Sequence, residues 1–475
     1  MPPPATATAI SIELDLPPRR LPALEALRAA PDRSTALRLI WCDLPDQALR
    51  RATEILAERR EGRRTSWQRL SLRPDLPGRP ALLLAEAESL AALLPPAEAT
   101  ALPGAEPLAS FSGRHRTLRL ADSAIAAVLM VGTLHGPAGA RALRRLCLTG
   151  QAPAVLALAG KLIDEGARLA PACLPREALR DPADPAPASP SLAGCNTVPE
   201  GLGRLVGGLA AVLLHHAPAA AAGRFGEPVH QMRVSLRRLR AALSLFREHL
   251  PAAELTAAQT ALRQLAGALG PARDWDVFLA ETAAALAAAR PQDKGVEALM
   301  QAASRRRASA YVALSRLLGG TVLQHTLLRL TALLPRPEAT AEQAADLLAF
   351  AAAALDRRLK QLRKSGQGFA KLDEPALHAV RIRGKRLRYA CEFMAPLYSG
   401  SRPRRYLRRL AALQEALGVL NDAHVADQLL ACLGPAGRGH AAGLVRGWLT
   451  ASGSHVRSEA GQAWTRLRQA EPFWR

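Results

Sequence analysis

The spacing of apolar positions changes period once along the chain. Near the N-terminus, Ile10-Ser11-Ile12-Glu13-Leu14-Asp15-Leu16 alternates at every second residue, which predicts a half-buried strand. Beyond residue 198 the apolar positions recur at helical spacing almost to the end, in a background of Ala, Leu and Arg. That predicts an all-α region. Its breaks are expected at short joints, Gly270-Pro271, Gly319-Gly320, Gly366-Gln367-Gly368 and Gly434-Pro435. Between the two regimes, residues 181–190 contain Pro182, Pro185, Pro187 and Pro190, a stretch that packs neither as a helix nor as a central strand. The expected organisation is a first domain at 1–180, a Pro-rich linker at 181–197 and a helical domain at 198–475. No window approaches 18 consecutive apolar residues, so no membrane-spanning helix is expected.

The helical region repeats itself at an offset of 148 residues. Val229-His230-Gln231-Met232-Arg233-Val234-Ser235-Leu236-Arg237-Arg238-Leu239-Arg240 returns as Leu377-His378-Ala379-Val380-Arg381-Ile382-Arg383-Gly384-Lys385-Arg386-Leu387-Arg388. Each copy follows a Glu-Pro pair, Glu227-Pro228 and Glu374-Pro375, and Pro is at home in a first helical turn. Leu269-Gly270, Asp274 and Val277 map onto Leu417-Gly418, Asp422 and Val425 with the same shift. Register held over this distance marks a duplicated unit, with repeats at about 198–345 and 346–475.

At about 100° per residue, His230, Arg233, Arg237 and Arg240 fall within a sector of about 80°. Met232, Leu236, Leu239, Leu243 and Phe246 form an adjacent apolar sector. Copy two places His378, Arg381, Lys385 and Arg388 on one face, and Val380, Leu387, Cys391 and Met394 on the other, with Tyr389 beside the His. Each helix is expected to bury its apolar stripe in a bundle and present a row of cations. Like charges at i, i+4 repel, so a single-sign row is better explained by an anion that bridges it than by solvation.

Composition sharpens this. The chain of 475 residues carries 63 Lys+Arg against 41 Asp+Glu, a formal net charge of +22. Residues 1–200 hold 24 basic and 21 acidic residues, so nearly all the excess lies beyond them. Such a field attracts polyanions and is screened by salt. Further cation clusters stand at Arg305-Arg306-Arg307, at Arg357-Arg358 with Lys360, Arg363 and Lys364, and at Arg404-Arg405 with Arg408-Arg409. Any one of these taken alone reads as solvated surface. Aromatics are 4% of the chain, and Tyr389 is the one beside the cationic rows. Single-strand nucleic-acid binders stack bases on aromatic side chains, and no recognition-helix, zinc-finger or RNA-binding motif is present. A cationic groove without stacking platforms suits a polyanion without bases, of which inorganic polyphosphate is the obvious case. Six scattered Cys are no disulfide framework. No Gly-rich phosphate loop, zinc spacing or nucleophile elbow is found.

The motif His230-x-x-Arg233-x-x-x-Arg237-Arg238-Leu239-Arg240, its second copy at His378, and Arg273-Asp274-x-Asp276-Val277 resemble the conserved-histidine α-helical (CHAD) domain over roughly residues 198–475. The resemblance implies two similar four-helix bundles related by a pseudo-twofold. It also implies a basic central surface for inorganic polyphosphate and a link to polyphosphate or polyhydroxyalkanoate granules. The anion-binding candidates it implies are His230, Arg233, Arg237, Arg240, His378, Arg381, Lys385 and Arg388. Arg238, Arg386 and the cluster Arg357, Lys360, Arg363 and Lys364 are counted with them. Asn421-Asp422-Ala423-His424 departs from the Arg-Asp-x-Asp pattern, and Asp274 and Asp422 are read as structural, capping a helix or pairing with Arg.

In such proteins a CYTH domain, the triphosphate-tunnel fold, often precedes the helical domain, and residues 1–180 are similar to a degenerate copy. Ile10–Leu16, Ile40–Arg51, Trp67–Leu70 and Leu146–Gly150 resemble its strands. The active version implies Glu-x-Glu-x-Lys on the first strand, with carboxylates for a divalent metal and Lys for phosphate. Here those positions read Ser11, Glu13 and Asp15, and the later paired carboxylates read Arg144 and Leu146. A hard metal needs several oxygen ligands, which a lone Glu13 does not supply.

The expectation is therefore a multi-domain chain: an N-terminal α+β antiparallel tunnel or barrel of degenerate CYTH type, then an all-α pair of bundles. Its function is expected to be non-catalytic binding of inorganic polyphosphate, with no catalytic residue, cofactor or metal, in the cytoplasm or at granules. The alternatives are a residual triphosphatase or polyphosphatase of the N-terminal domain, and a general polyanion binder that takes nucleic acid.

Overall fold

The structure, a computed structural model, describes residues 9–25, 33–44, 47–72, 76–93, 106–118, 124–181, 183–334 and 345–475, with the backbone alone at 419–424 and 452–456. The chain folds as two units, residues 1–188 with 321–334, and residues 189–320 with 335–475. Part of the Pro-rich stretch, Pro182, and the residues Pro45 and Asp46 of the Ile40–Arg51 motif lie outside the described residues.

The first unit is built on strands β1 (Ala9–Asp15), β2 (Arg33–Asp43), β3 (Glu54–Glu61), β4 (Arg64–Ser71), β5 (Leu82–Ala87), β6 (Glu106–Leu118), β7 (Ile125–Gly136), β8 (Gly139–Gln151) and β9 (Arg168–Leu169). They form one antiparallel sheet in the order β5-β4-β3-β2-β6-β7-β8-β1-β9. The alternation of β1 does what its period predicts. Ile12 and Leu14 are buried on the face covered by helix α1 (Ala152–Asp164), while Glu13 and Asp15 take the other face. A second cluster, with Trp41, Phe111, Leu37, Leu39 and Ile55, fills the sheet's other buried region. The turn after β2 is closed by Asp43, a buried carboxylate that accepts from the Leu49 amide at 3.2 Å and from Arg50 Nε at 3.0 Å. Helix α6 (Val322–Leu333) belongs to this unit although it is far along the chain: Gln324 Oε1 accepts from the Leu169 amide at 2.9 Å and Thr331 donates to the Pro77 carbonyl.

The second unit contains helices α2 (Val198–Ala222), α3 (Glu227–Leu245), α4 (Ala252–Val277), α5 (Lys294–Gly319), α7 (Leu347–Ser365), α8 (Glu374–Met394), α9 (Arg402–Ala431) and α10 (His440–Arg468). Helices α2–α5 pack as one four-helix bundle and α7–α10 as another. Each helix of the first bundle also meets its own counterpart in the second, α2 with α7, α3 with α8, α4 with α9 and α5 with α10. Contact between equivalent elements is what a twofold between repeats requires. The chain segments that open the two repeats pair with each other, Thr197 opposite Asp346 in an antiparallel bridge. Each of these residues caps its own helix, Thr197 accepting from the Glu200 amide and Asp346 from the Ala349 amide. The apolar stripes are in the core: Met232, Leu236, Leu239, Leu243 and Phe246 in copy one, and Val380, Leu387, Cys391 and Met394 in copy two, are all fully buried.

One expectation is corrected. Gly270-Pro271 is no joint, because α4 runs through it to Val277. Pro271 lacks the N–H that would reach the Gly267 carbonyl one turn back; the carbonyl of Gly270, beside it, accepts from Arg233 Nη1 at 2.6 Å. The other three joints do end helices. Helix α2 is long and apolar enough by length and composition to cross a membrane. Half of its apolar window is buried inside the bundle, with Leu205, Val206, Leu209, Ala210 and Leu213 at 1% exposure or less, which is the pattern of a core helix.

Candidate anion-binding site

Helix α3 starts from Gly226 because the side chain of Asp276 comes too close for anything larger: a Cβ there would stand 2.8 Å from Asp276 Oδ2. Asp276, itself buried, accepts from Arg307 Nε at 2.6 Å and from the Tyr311 hydroxyl at 2.7 Å, with the Arg307 guanidinium 4.4 Å above the Tyr311 ring. Burial and this bond to Asp276 push the Tyr311 phenol well up. Asp274, two residues earlier, accepts from Arg233 Nη1 at 2.9 Å. The Arg-Asp-x-Asp turn is thus a brace that ties α3, α4 and α5 together. In copy two the corresponding Asp422 side chain lies outside the described residues.

The structure brings the two cationic helices together along the α3–α8 contact. Arg237 Nε donates to the Tyr389 hydroxyl at 3.2 Å. Arg238 donates to Glu392 Oε2 at 3.1 Å and stacks 5.0 Å from the centre of the Phe393 ring. Arg388 donates to Glu392 Oε1 at 2.8 Å. Arg386 lies near Arg358 of α7, and burial, with Arg386 and Arg357 close by, pushes the Arg358 guanidinium down to about 10. An arginine remains charged near neutral pH even so, and its discomfort marks a patch where positive charge is locally uncompensated.

The rows are less bare than their own sequence suggests. Arg233, Arg238 and Arg388 have carboxylate partners within 3.1 Å, and Arg357 has a looser, exposed one in Glu248 at 3.5 Å. The partners come from outside the cationic sector, Asp274 from α4 and Glu392 from the far end of α8. Arg381 and Lys385 are half-buried and engaged. Among the described residues Arg237, Arg240, His378, Arg386, Lys360, Arg363 and Lys364 are ionisable and have no carboxylate within ion-pair distance; apart from half-buried His230, which also lacks one, these side chains are exposed. His230 is held below the ordinary imidazole range by burial and by Arg273, Arg237 and Arg233, against the opposing pull of Glu227. Lys360, Arg363 and Lys364 form an exposed strip on α7 and are not drawn into the α3–α8 contact. Two residues that sequence reasoning left out belong to the site's frame: Glu392, which neutralises both helices at once, and Arg358, visible in its cluster but not distinguishable there by spacing alone.

In the sheet unit the family-implied metal does not fit. Antiparallel pairing puts Asp15 opposite Arg145 and Glu13 opposite Cys147, so the face-mates of Glu13 and Asp15 are Arg145 and Cys147, not Arg144 and Leu146. A shift of one residue turns a strand over, and Leu146 is buried on the opposite face with Leu14. Arg145 is fully buried and reaches Asp15 at 2.9 Å, Glu177 at 2.5 Å and Glu13 at 3.5 Å. Burial alone would depress its guanidinium, but Glu13, Glu177 and Asp15 outweigh that and raise it. Burial also raises the Asp15 carboxyl despite Arg145 beside it. The carboxylates a divalent ion would need are taken by an internal cation.

Residues 204–431 match the family model of the CHAD domain. Residues 204–431 form a CHAD domain. In structural comparison the chain is similar to the CHAD domain from the plant Ricinus communis, at 29% identity and a TM-score of 0.52, with 61% of this chain and 98% of that one covered. A looser likeness is to PptA from Streptomyces chartreusis, at 21% identity and a TM-score of 0.40, covering 58% of this chain and 99% of that one. No curated protein matches. The nine-stranded antiparallel sheet that precedes the CHAD domain is consistent with a CYTH-like tunnel.

Proposed function

We propose that the CHAD domain binds inorganic polyphosphate without turning it over, and that the sheet unit is a fold retained without catalysis. The observation that carries this reading is on the two motif helices, where Arg237 at the α3–α8 contact, Arg240 further along α3 and Arg386 of α8 beside Arg358 stand exposed with no carboxylate partner while the apolar stripes of both helices are fully buried. Arginine forks match phosphate oxygens and keep their charge at any relevant pH, and successive helix turns rise by about 5.4 Å, a repeat along which a phosphate chain finds a new donor at each turn. The face offers a single aromatic, Tyr389, whose hydroxyl is engaged by Arg237, so it provides no platform for base stacking. Arg145 among Glu13, Asp15 and Glu177 supports the non-catalytic part of the reading. The same reading expects a cytoplasmic protein that meets polyphosphate in granules.

The test is retention of long-chain polyphosphate by the full chain and by the variant Arg237→Glu/Arg240→Glu/Arg386→Glu. These side chains support nothing in the core, so the variant keeps its fold. Charge-assisted hydrogen bonds contribute about 1.5–3 kcal/mol each, so the variant is expected to lose at least about a hundredfold in affinity. Undiminished binding by the folded variant overturns the site. Equal displacement of polyphosphate by DNA at fixed ionic strength overturns the choice of ligand.

A further inference from the structure

The two repeats differ on their third and fourth helices. At the 148-residue offset, Arg405, Arg408 and Arg409 of α9 stand where α4 has Ala257, Thr260 and Ala261, and matching buried Tyr311, Leu314 and Leu318 to Ala460, Ala463 and Leu467 sets Arg466 of α10 where α5 has Leu317. The first bundle folds without cations at these places, so the bundle architecture does not call for them. Arg405, Arg408 and Arg409 share one turn of α9 at i, i+3 and i+4, where like charges repel and lower helix stability. With Arg466 they line a groove of about 250 Å3 whose other walls are Ala412 and Ala463. No carboxylate lines it, and among the described residues none of the four arginines has an ion-pair partner.

We propose that this groove is a second anion site, separate from the α3–α8 face, that takes a compact phosphoanion of two or three phosphoryl groups. Three of its cations fall within about 6 Å of helix rise, so they converge on a short, dense charge and do not track a long chain. Four guanidinium forks offer paired donors to several phosphate oxygens at once. The alanine walls let a phosphoryl group come close, and the absence of an aromatic lining leaves nothing for a base to stack on. Two sources share this chemistry, a free short polyphosphate and the end of a long one. Arg408 also lines a neighbouring groove with Arg404, Arg388 and the Glu392 that pairs with Arg388, which joins the end of α8 to this site.

The experiment is calorimetric titration of the full chain with tripolyphosphate and with long-chain polyphosphate. Three proteins are compared with wild type: Arg405→Glu/Arg409→Glu, the motif variant Arg237→Glu/Arg240→Glu/Arg386→Glu, and a control reversal at exposed Arg263 and Arg316. Arg405→Glu/Arg409→Glu is expected to weaken tripolyphosphate about tenfold or more, from the loss of two charge-assisted contacts, while the motif variant retains this binding. A parallel fall in long-chain affinity assigns the groove to chain ends; an unchanged long-chain affinity assigns it to the free compact anion. Tripolyphosphate affinity that survives Arg405→Glu/Arg409→Glu, or that falls equally in the Arg263/Arg316 control, overturns the proposal. Either result leaves the motif face standing, because that face is judged by the motif variant and the long chain.

Discussion

The two units treat arginine in opposite ways. In the sheet unit Arg145 has no exposed surface and is enclosed by Glu13, Asp15 and Glu177. In the helical unit Arg237, Arg240 and Arg386 are exposed and have no carboxylate at ion-pair distance. A buried charge persists only when it is paired, so Arg145 is a structural cation, fixed by its neighbours and closed to ligands. An exposed, unpaired row costs the fold a little repulsion and remains available to an anion. The same side chain becomes framework or binding group according to whether the protein supplies the counter-charge itself.

The largest way to break this comparison is to remove the sealed cation. Arg145→Met takes this counter-charge from buried Glu13 and half-buried Asp15, Glu177 keeping Arg141, and is expected to destabilise the sheet unit by about 3–5 kcal/mol, read by denaturant unfolding. Arg240→Met in the helical unit is expected to stay within about 0.5 kcal/mol of wild type. Equal effects of the two substitutions would erase the distinction between the units. An intermediate case is Arg233, a motif cation that is half sealed by Asp274. Asp274→Asn releases it, at a cost of about 1 kcal/mol in stability for a partly exposed pair, and is expected to raise polyphosphate affinity severalfold in a binding titration. A loss of affinity would mean that Asp274 positions Arg233 for the ligand instead of competing with it.

The smallest effect is in pH. His230 is held below the usual imidazole range by burial and three neighbouring arginines, so it is neutral at pH 7 in the free protein. A bound polyanion offsets those arginines and raises it. Protonation is therefore coupled to binding: affinity is expected to climb as pH falls through the ordinary imidazole range and to level off below it, once the free protein is protonated too. His230→Gln is expected to flatten the profile relative to wild type. An unchanged profile in that variant would remove His230 from the face.

Much of the helical unit was legible in the sequence. The 3.6-residue period, the 148-residue repeat and the two apolar stripes specify two bundles, because burial of Met232, Leu236 and Leu239 and their partners in copy two leaves each helix one orientation. The exception at Gly270-Pro271 arose because the Gly-Pro pair removes only one backbone donor, the one that would reach the Gly267 carbonyl, and the rest of the ladder carries α4 on to Val277. The site was legible to the extent that it depends on one helix face. Asp274, read from the motif as a structural residue that caps or pairs with Arg, does pair with Arg233, whereas Glu392 escaped notice because its pairing with both rows depends on how helices meet, which no single-helix projection contains. In the sheet unit the strand β1 was plain from its alternation, but its partner register was not. Placing the counterparts at Arg144 and Leu146 missed by one residue, and in a strand one residue exchanges the two faces, hiding Arg145.

The account rests most heavily on uncompensated cations at the α3–α8 face, and the salt dependence of polyphosphate binding tests it most directly. Affinity of the full chain is to be measured over a series of monovalent salt concentrations, beside Arg237→Glu/Arg240→Glu/Arg386→Glu. By analogy with counterion release from other linear polyanions, the wild-type logarithm of affinity is expected to fall steeply and linearly with the logarithm of salt, and the variant to bind weakly with a clearly shallower slope. A wild-type affinity indifferent to salt, or the same slope in both proteins, would contradict it.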